Sequence, residues 1–153
     1  MKLAECLITR KDLQVKLQQL KNQMRANVRV QEGDQPSVAP AALLQTYQET
    51  SRELAELITR INETNAVVVI DKLGMTLTAA IEAREAARRD FQMLEEAINS
   101  AEQRQDMYSR SEIRMVVTID LPEYHRKRDQ IAKKIREFDV AIQETNWQTD
   151  LPE

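Results

Sequence analysis

Apolar residues recur every three or four positions from Leu3 to about Ala26, at Leu3, Leu7, Leu13, Leu17, Leu20 and Met24, which is the spacing of one helix face. Ala4, Ile8 and Val15 form a flanking strip, so this first helix is expected to have two apolar sides. A second helix opens at Pro40, turns Leu43, Tyr47, Leu54, Leu57, Ile58 and Ile61 inward, and ends at Asn65, read as a left-handed cap. The third is capped by Thr76 or Thr78, carries Leu77, Ile81, Phe91, Leu94 and Ile98, and runs to about Ala101. Asp120-Leu121-Pro122-Glu123 has the form of a capping box, and a fourth helix follows with Tyr124, Ile131, Ile135, Phe138 and Ile142.

The connections read differently. Ala66-Val67-Val68-Val69-Ile70 is β-branched and too short for a helix, and Asp71-Lys72-Leu73-Gly74 is a turn by composition, so a small hairpin returning through Met75 to Leu77 is predicted. Val28-Arg29-Val30 alternates like a short strand before the turn Glu32-Gly33-Asp34-Gln35-Pro36. Ile113 to Ile119 alternates with period two, placing Ile113, Met115, Val117 and Ile119 on one face, and gives the best strand pattern in the chain. The fold class is therefore mainly α with minor β: four long antiparallel helices with short strands in the connections.

Two echoes point to an internal repeat. Ile61-Asn62-Glu63-Thr64-Asn65 returns as Ile142-Gln143-Glu144-Thr145-Asn146, each at the end of a long amphipathic stretch. At a constant offset, Leu3, Leu7, Arg10, Leu17 and Leu20 fall on Leu77, Ile81, Arg84, Phe91 and Leu94. Apolar stripes on any two helices can be slid into agreement, so the repeated arginine is the more telling match. The expectation is one domain over residues 1–153 made of two helical hairpins, about 3–65 and 77–146, with the pairing of a helical bundle or coiled coil.

With 153 residues the chain is the ordinary size for a single domain with its own core. Two glycines and four prolines among many Leu, Glu, Gln, Ala and Arg agree with long helices and few turns. The single cysteine, Cys6, excludes an intrachain disulfide, and the early charges of Met1-Lys2-Leu3-Ala4-Glu5 lack the apolar core of a signal peptide, so a cytoplasmic location is expected. No segment approaches the roughly 20 apolar residues of a membrane span, and no membrane partner is expected. A formal charge of −3 disfavours indiscriminate binding to nucleic acid.

Catalytic vocabulary is thin. There is no glycine-rich phosphate loop, nucleophile elbow or Glu-x-x-His pair, and His125 has no second imidazole to share a metal, so neither a metal nor a cofactor is expected. The densest hydrogen-bonding group outside a helix is Tyr108, Ser109, Arg110, Ser111, Glu112 and Arg114, whose arginines suit a phosphate or carboxylate; a loop held by its own serines and Arg-Glu pairing is the competing reading. Arg10 and Arg84 interrupt their apolar stripes and need anionic partners, for which Glu56 or Glu63 and Glu137 or Glu144 are available on the following helices. The basic stretch His125-Arg126-Lys127-Arg128 with Lys133, Lys134 and Arg136, broken by Asp129 and Glu137, reads as a solvated, salt-bridged helix face.

The run Tyr108-Ser109-Arg110-Ser111-Glu112-Ile113-Arg114, the following Val-Val-Thr-Ile-Asp, the closing Ile142-Gln143-Glu144-Thr145-Asn146-Trp147 and the opening Leu3-Ala4-Glu5 resemble a family of short bacterial proteins of unknown function, some labelled septicolysin. The resemblance implies a compact, oligomeric helical protein with no established activity. Thiol-activated cytolysins are far longer and β-rich, with a tryptophan-rich loop near a cysteine, whereas this chain has one tryptophan, Trp147, distant in sequence from Cys6. The label is thus read as a misnomer and a toxin is disfavoured. The leading expectation is a homo-oligomeric helical scaffold or interaction protein whose partner is itself; the alternative is a module binding a small anion or nucleotide through Tyr108 to Arg114.

Overall fold

A computed structural model describes residues 1–103 and 114–152. The elements run α1 (Leu3–Asn27), α2 (Pro40–Val67), β1 (Val69–Ile70), β2 (Met75–Thr76), α3 (Leu77–Glu102) and α4 (Leu121–Gln148), with β1 and β2 forming a two-stranded sheet. The protein is mainly α with minor β. Two compact units are present: residues 1–69 with 143–153, and residues 70–142.

In the first unit α1 and α2 pack antiparallel, burying Leu3, Cys6, Leu13 and Leu20 of α1 and Leu43, Leu57 and Ile61 of α2. Pro40 takes the first helical turn of α2, where its missing N–H costs nothing. The helix does not stop at Asn65. It continues to Val67, and among the described residues none other than glycine has positive φ, so the expected left-handed asparagine cap is replaced by an extended Val68 whose N–H still bonds Thr64 O. α4 likewise passes Asn146 by two residues to reach Gln148.

The chain ends meet in this unit. Leu3 N donates to Thr149 O at 2.9 Å and Leu151 N to Met1 O at 2.9 Å, closing an antiparallel bridge between Lys2 and Asp150. Leu3 and Leu151 are both buried beside it. Lys2 Nζ reaches Asp150 Oδ2 at 2.8 Å, and that hydrogen bond holds the Asp150 carboxyl below its ordinary range.

The predicted hairpin is present, shortened to two residues a side. Leu73 N and Gly74 N both donate to Ile70 O, and Gly74 takes φ +63°, which suits a residue without a side chain. Thr76 caps α3 by accepting from Ala79 N at 3.2 Å, and Asp120 caps α4 by accepting from Glu123 N at 3.2 Å. Ion pairs from Arg84 to Asp139 and from Arg128 to Glu95 set α3 antiparallel to residues 121–142 of α4.

Two expected strands are not formed. Val28 closes the last hydrogen bond of α1, to Met24 O, and the Asn27 side chain accepts from Val38 N at 3.1 Å, so this connection is tied down by the helix end. Residues 114–119 are neither helical nor paired, and Ile113 lies outside the described residues. An alternating pattern reports strand preference, but a strand also needs a neighbour for its backbone.

The apolar plug at the chain ends should matter more than the charge beside it. Leu151→Ala is expected to lower the unfolding free energy by about 2–4 kcal/mol, measured by urea denaturation. Asp150→Asn should shift the midpoint only slightly at pH 7, because Asp150 is solvent-exposed. A carboxyl with a lowered folded pKa stabilises above its unfolded value, and the effect fades as pH falls through the folded value. The gap between wild type and Asp150→Asn should therefore close in acid, below roughly pH 4.

Candidate functional site

Of the expected anion-binding run, Tyr108, Ser109, Arg110, Ser111 and Glu112 lie outside the described residues. Arg114 is exposed at the start of the irregular segment leading to α4. The next three side chains are also in solvent, Met115 at 78%, Val116 at 77% and Val117 at 51% exposure.

Arg84 sits at the edge of the core with 17% of its side chain exposed, and its charge is met within the second unit. Its Nη1 donates to Asp139 Oδ1 at 3.0 Å, while its Nε and Nη2 donate to Glu85 Oε1 at 3.1 and 3.0 Å. Arg88 bridges the same two carboxylates, at 2.9 Å to Glu85 and 3.3 Å to Asp139. Two guanidinium groups thus share two carboxylates in a neutral network. The partner on α4 is Asp139, not the expected Glu137 or Glu144. Phe138, Ala141 and Ile142 take the buried positions of this turn. Asp139 flanks them toward α3, whereas Glu137 is exposed and faces Lys133 at 4.0 Å.

Arg10 is different. Its Nε is buried and has no hydrogen-bond partner, and among the described residues Arg10 makes no ion pair. Lys21 lies over the Tyr47 ring at 6.0 Å, and counting back along two antiparallel helices from that contact sets Arg10 level with about Leu57. Glu63 is more than a turn away. Glu56 is level but exposed, because the inward position of that turn belongs to Leu57. The matched arginines therefore differ in environment, since only Arg84 has a neighbouring residue of α4 that supplies a carboxylate.

The basic stretch of α4 is laced with acids. His125 Nε2 lies 2.9 Å from Glu102 Oε1, Lys127 pairs with Glu123 at 3.1 Å, and Arg128 meets Glu95 at 3.1 Å. The Glu95 hydrogen bond raises the Arg128 pKa above its ordinary value. Cys6, the only thiol, is fully buried. Among the described residues no three of His, Cys, Asp and Glu gather closely enough to hold a metal ion.

An open groove of about 620 Å³ on the second unit was not foreseen from sequence. Lys72, Lys133, Arg136 and Glu137 line it beside Leu73 and Val140. Its cations come from the β-turn and from α4, and no periodicity in either segment brings the two together. It offers charge and apolar surface. Smaller hollows of about 360 and 390 Å³ lie on the first unit, one lined by Arg60, Glu63 and Thr64, the other by Met24, Leu44 and Tyr47.

A family model described as a family of unknown function, DUF6847, matches residues 10–151, and the chain belongs to that family. The crystal structure of a functionally unknown conserved protein from Corynebacterium diphtheriae is similar throughout, with 39% sequence identity, 99% of each chain covered and a TM-score of 0.92. No curated protein matches the chain. Neither the family nor the solved relative is described by an activity, and neither carries the septicolysin label. No helix among the described residues is long and apolar enough to cross a membrane.

The two arginines should respond oppositely to replacement. Arg84→Ala is expected to cost about 1–2 kcal/mol, less than for a fully buried pair, because Arg88 and water still serve the carboxylates. Arg10→Met should leave the urea midpoint unchanged or raise it, since methionine keeps the packing and removes an unsatisfied buried nitrogen.

Proposed function

We propose that the protein acts as a homo-oligomeric helical scaffold or interaction protein without chemistry of its own. The reading is carried by the second apolar strip of α1. Ile8 and Val15 are seven residues apart on one side of the helix and stand 54% and 47% exposed, while Leu3, Cys6, Leu13 and Leu20 on the other side are buried. Residues spaced by seven make a straight seam along a helix, the pattern that a second helix covers. Burial of one such side chain is worth about 1.5–3 kcal/mol, and although Ala4 of the same strip is buried, covering Ile8 and Val15 would favour association.

The site chemistry points the same way. Arg84, Arg88, Arg128 and His125 already face carboxylates on neighbouring helices, so these charges serve the scaffold. The expected experiment is light scattering coupled to gel filtration at micromolar concentration. The full chain should elute at a multiple of its 17.7 kDa mass, and a Val15→Lys variant should shift toward the monomer while keeping its helical circular dichroism. A wild-type monomer mass would overturn the reading.

A further inference from the structure

Residues 114–120 combine three properties that together specify an occupant. Their composition favours a strand, with Met115, Val116, Val117, Thr118 and Ile119 in succession. Their backbone is unpaired: residues 114–119 make no backbone hydrogen bond to another described residue. Their apolar side chains are exposed, apart from the half-buried Ile119 where the chain bends into α4.

The charges at the two ends fix the register. Arg114 begins the segment and Asp120 ends it, and neither has an ion-pair partner among the described residues. We propose that residues 114–120 pair with the same residues of a second copy as an antiparallel two-stranded ribbon whose two-fold axis passes through Val117. This rests on the reading that the chain self-associates, and it adds to the α1 seam a second surface with a defined geometry.

In that register Arg114 lies opposite Asp120 of the second copy, twice by symmetry. Met115 lies opposite Ile119 and Val117 opposite itself, so one face of the ribbon is wholly apolar, while Val116 and Thr118 face each other between the charges. Sliding by two residues in one direction puts Arg114 opposite Thr118, and in the other opposite Pro122, which has no N–H to give. Sliding by one sets Arg114 against Ile119 and mixes the faces. Only the register centred on Val117 satisfies both charges. Asp120 can serve two roles, because its Oδ1 takes the Glu123 N–H that caps α4 and its Oδ2 is left for a guanidinium.

Cysteine cross-linking tests the register directly. Val117→Cys in the full chain should form a disulfide-linked dimer under mild oxidation, since directly opposite residues of a ribbon stand about 4.5–5.5 Å apart at Cα. Met115→Cys and Ile119→Cys should each fail to cross-link alone and should cross-link when mixed. Wild type, with its buried Cys6, should remain uncross-linked. Arg114→Glu should weaken self-association by roughly tenfold or more at low salt, with the difference shrinking near 1 M salt, where the screening length is about 3 Å. An oligomer in which Val117→Cys does not cross-link would overturn the ribbon while leaving the self-association reading in place. Cross-linking of Met115→Cys with itself would overturn the register, and a wild-type monomer would overturn both.

Discussion

The closure of the chain on itself is the constraint from which much of the first unit follows. The opening N–H groups of a helix have no partners within it, and the N-cap residue of α1, Lys2, carries no side-chain acceptor to serve them. The deficit is met from the far end of the sequence. Thr149 O takes the Leu3 N–H, Glu5 turns its carboxylate back to the Lys2 N–H at 2.7 Å, and Leu151 N is received by Met1 O. Leu3 and Leu151 can then be buried without stranding the peptide groups beside them. The last residues of α4 therefore belong with α1 and α2, and no cut at a single point of the sequence reproduces the two units.

Charge plays a supporting part. The α3 and α4 helices are linked through Arg84, Arg88, Asp139 and Glu85 and again through Arg128 and Glu95, but most of these side chains remain partly in water. Exposed pairs of this kind are worth little individually. They act by fixing register: an antiparallel slip by one helical turn would break the contacts at Arg84 and Arg128 together. Arg10 shows the alternative, a guanidinium at the edge of a core where the neighbouring helix supplies leucine instead of a carboxylate.

What was legible in the sequence follows from how local each signal is. Helix starts were readable because Pro40, Thr76 and Asp120 act on backbone groups within three residues. The hairpin was readable because Ile70 and Gly74 meet across four residues. The stop of α2 was misread, since an asparagine tolerates the left-handed conformation without requiring it, and Ala66 and Val67 after it were recruited into two further helical positions. The partner of Arg84, Asp139, lies two positions from Glu137 and five from Glu144, and choosing among the three acids requires the rotation of α4 about its axis. That rotation is set by packing at Phe138 and Ile142. The groove between Lys72 and Arg136 had no sequence signal, because its residues are more than sixty positions apart.

The two strands expected from alternation failed for different reasons, and the difference is informative. Val28 to Val30 was claimed by its surroundings: α1 runs into it, and Asn27 ties it to Val38. Nothing among the described residues claims residues 114–119, yet their sequence is the more strongly β of the two. A protein with no use for a strand there could hold the same connection with polar residues, as charged and polar substitutions on an exposed edge are the usual protection against unwanted pairing. Here the protection is absent in the middle of the segment and present only as one arginine and one aspartate at its ends. Complementary charges at the ends of an otherwise apolar strand do not prevent pairing; they select one register of it. That is the physical reason to read this segment as half of an interface that a second copy completes.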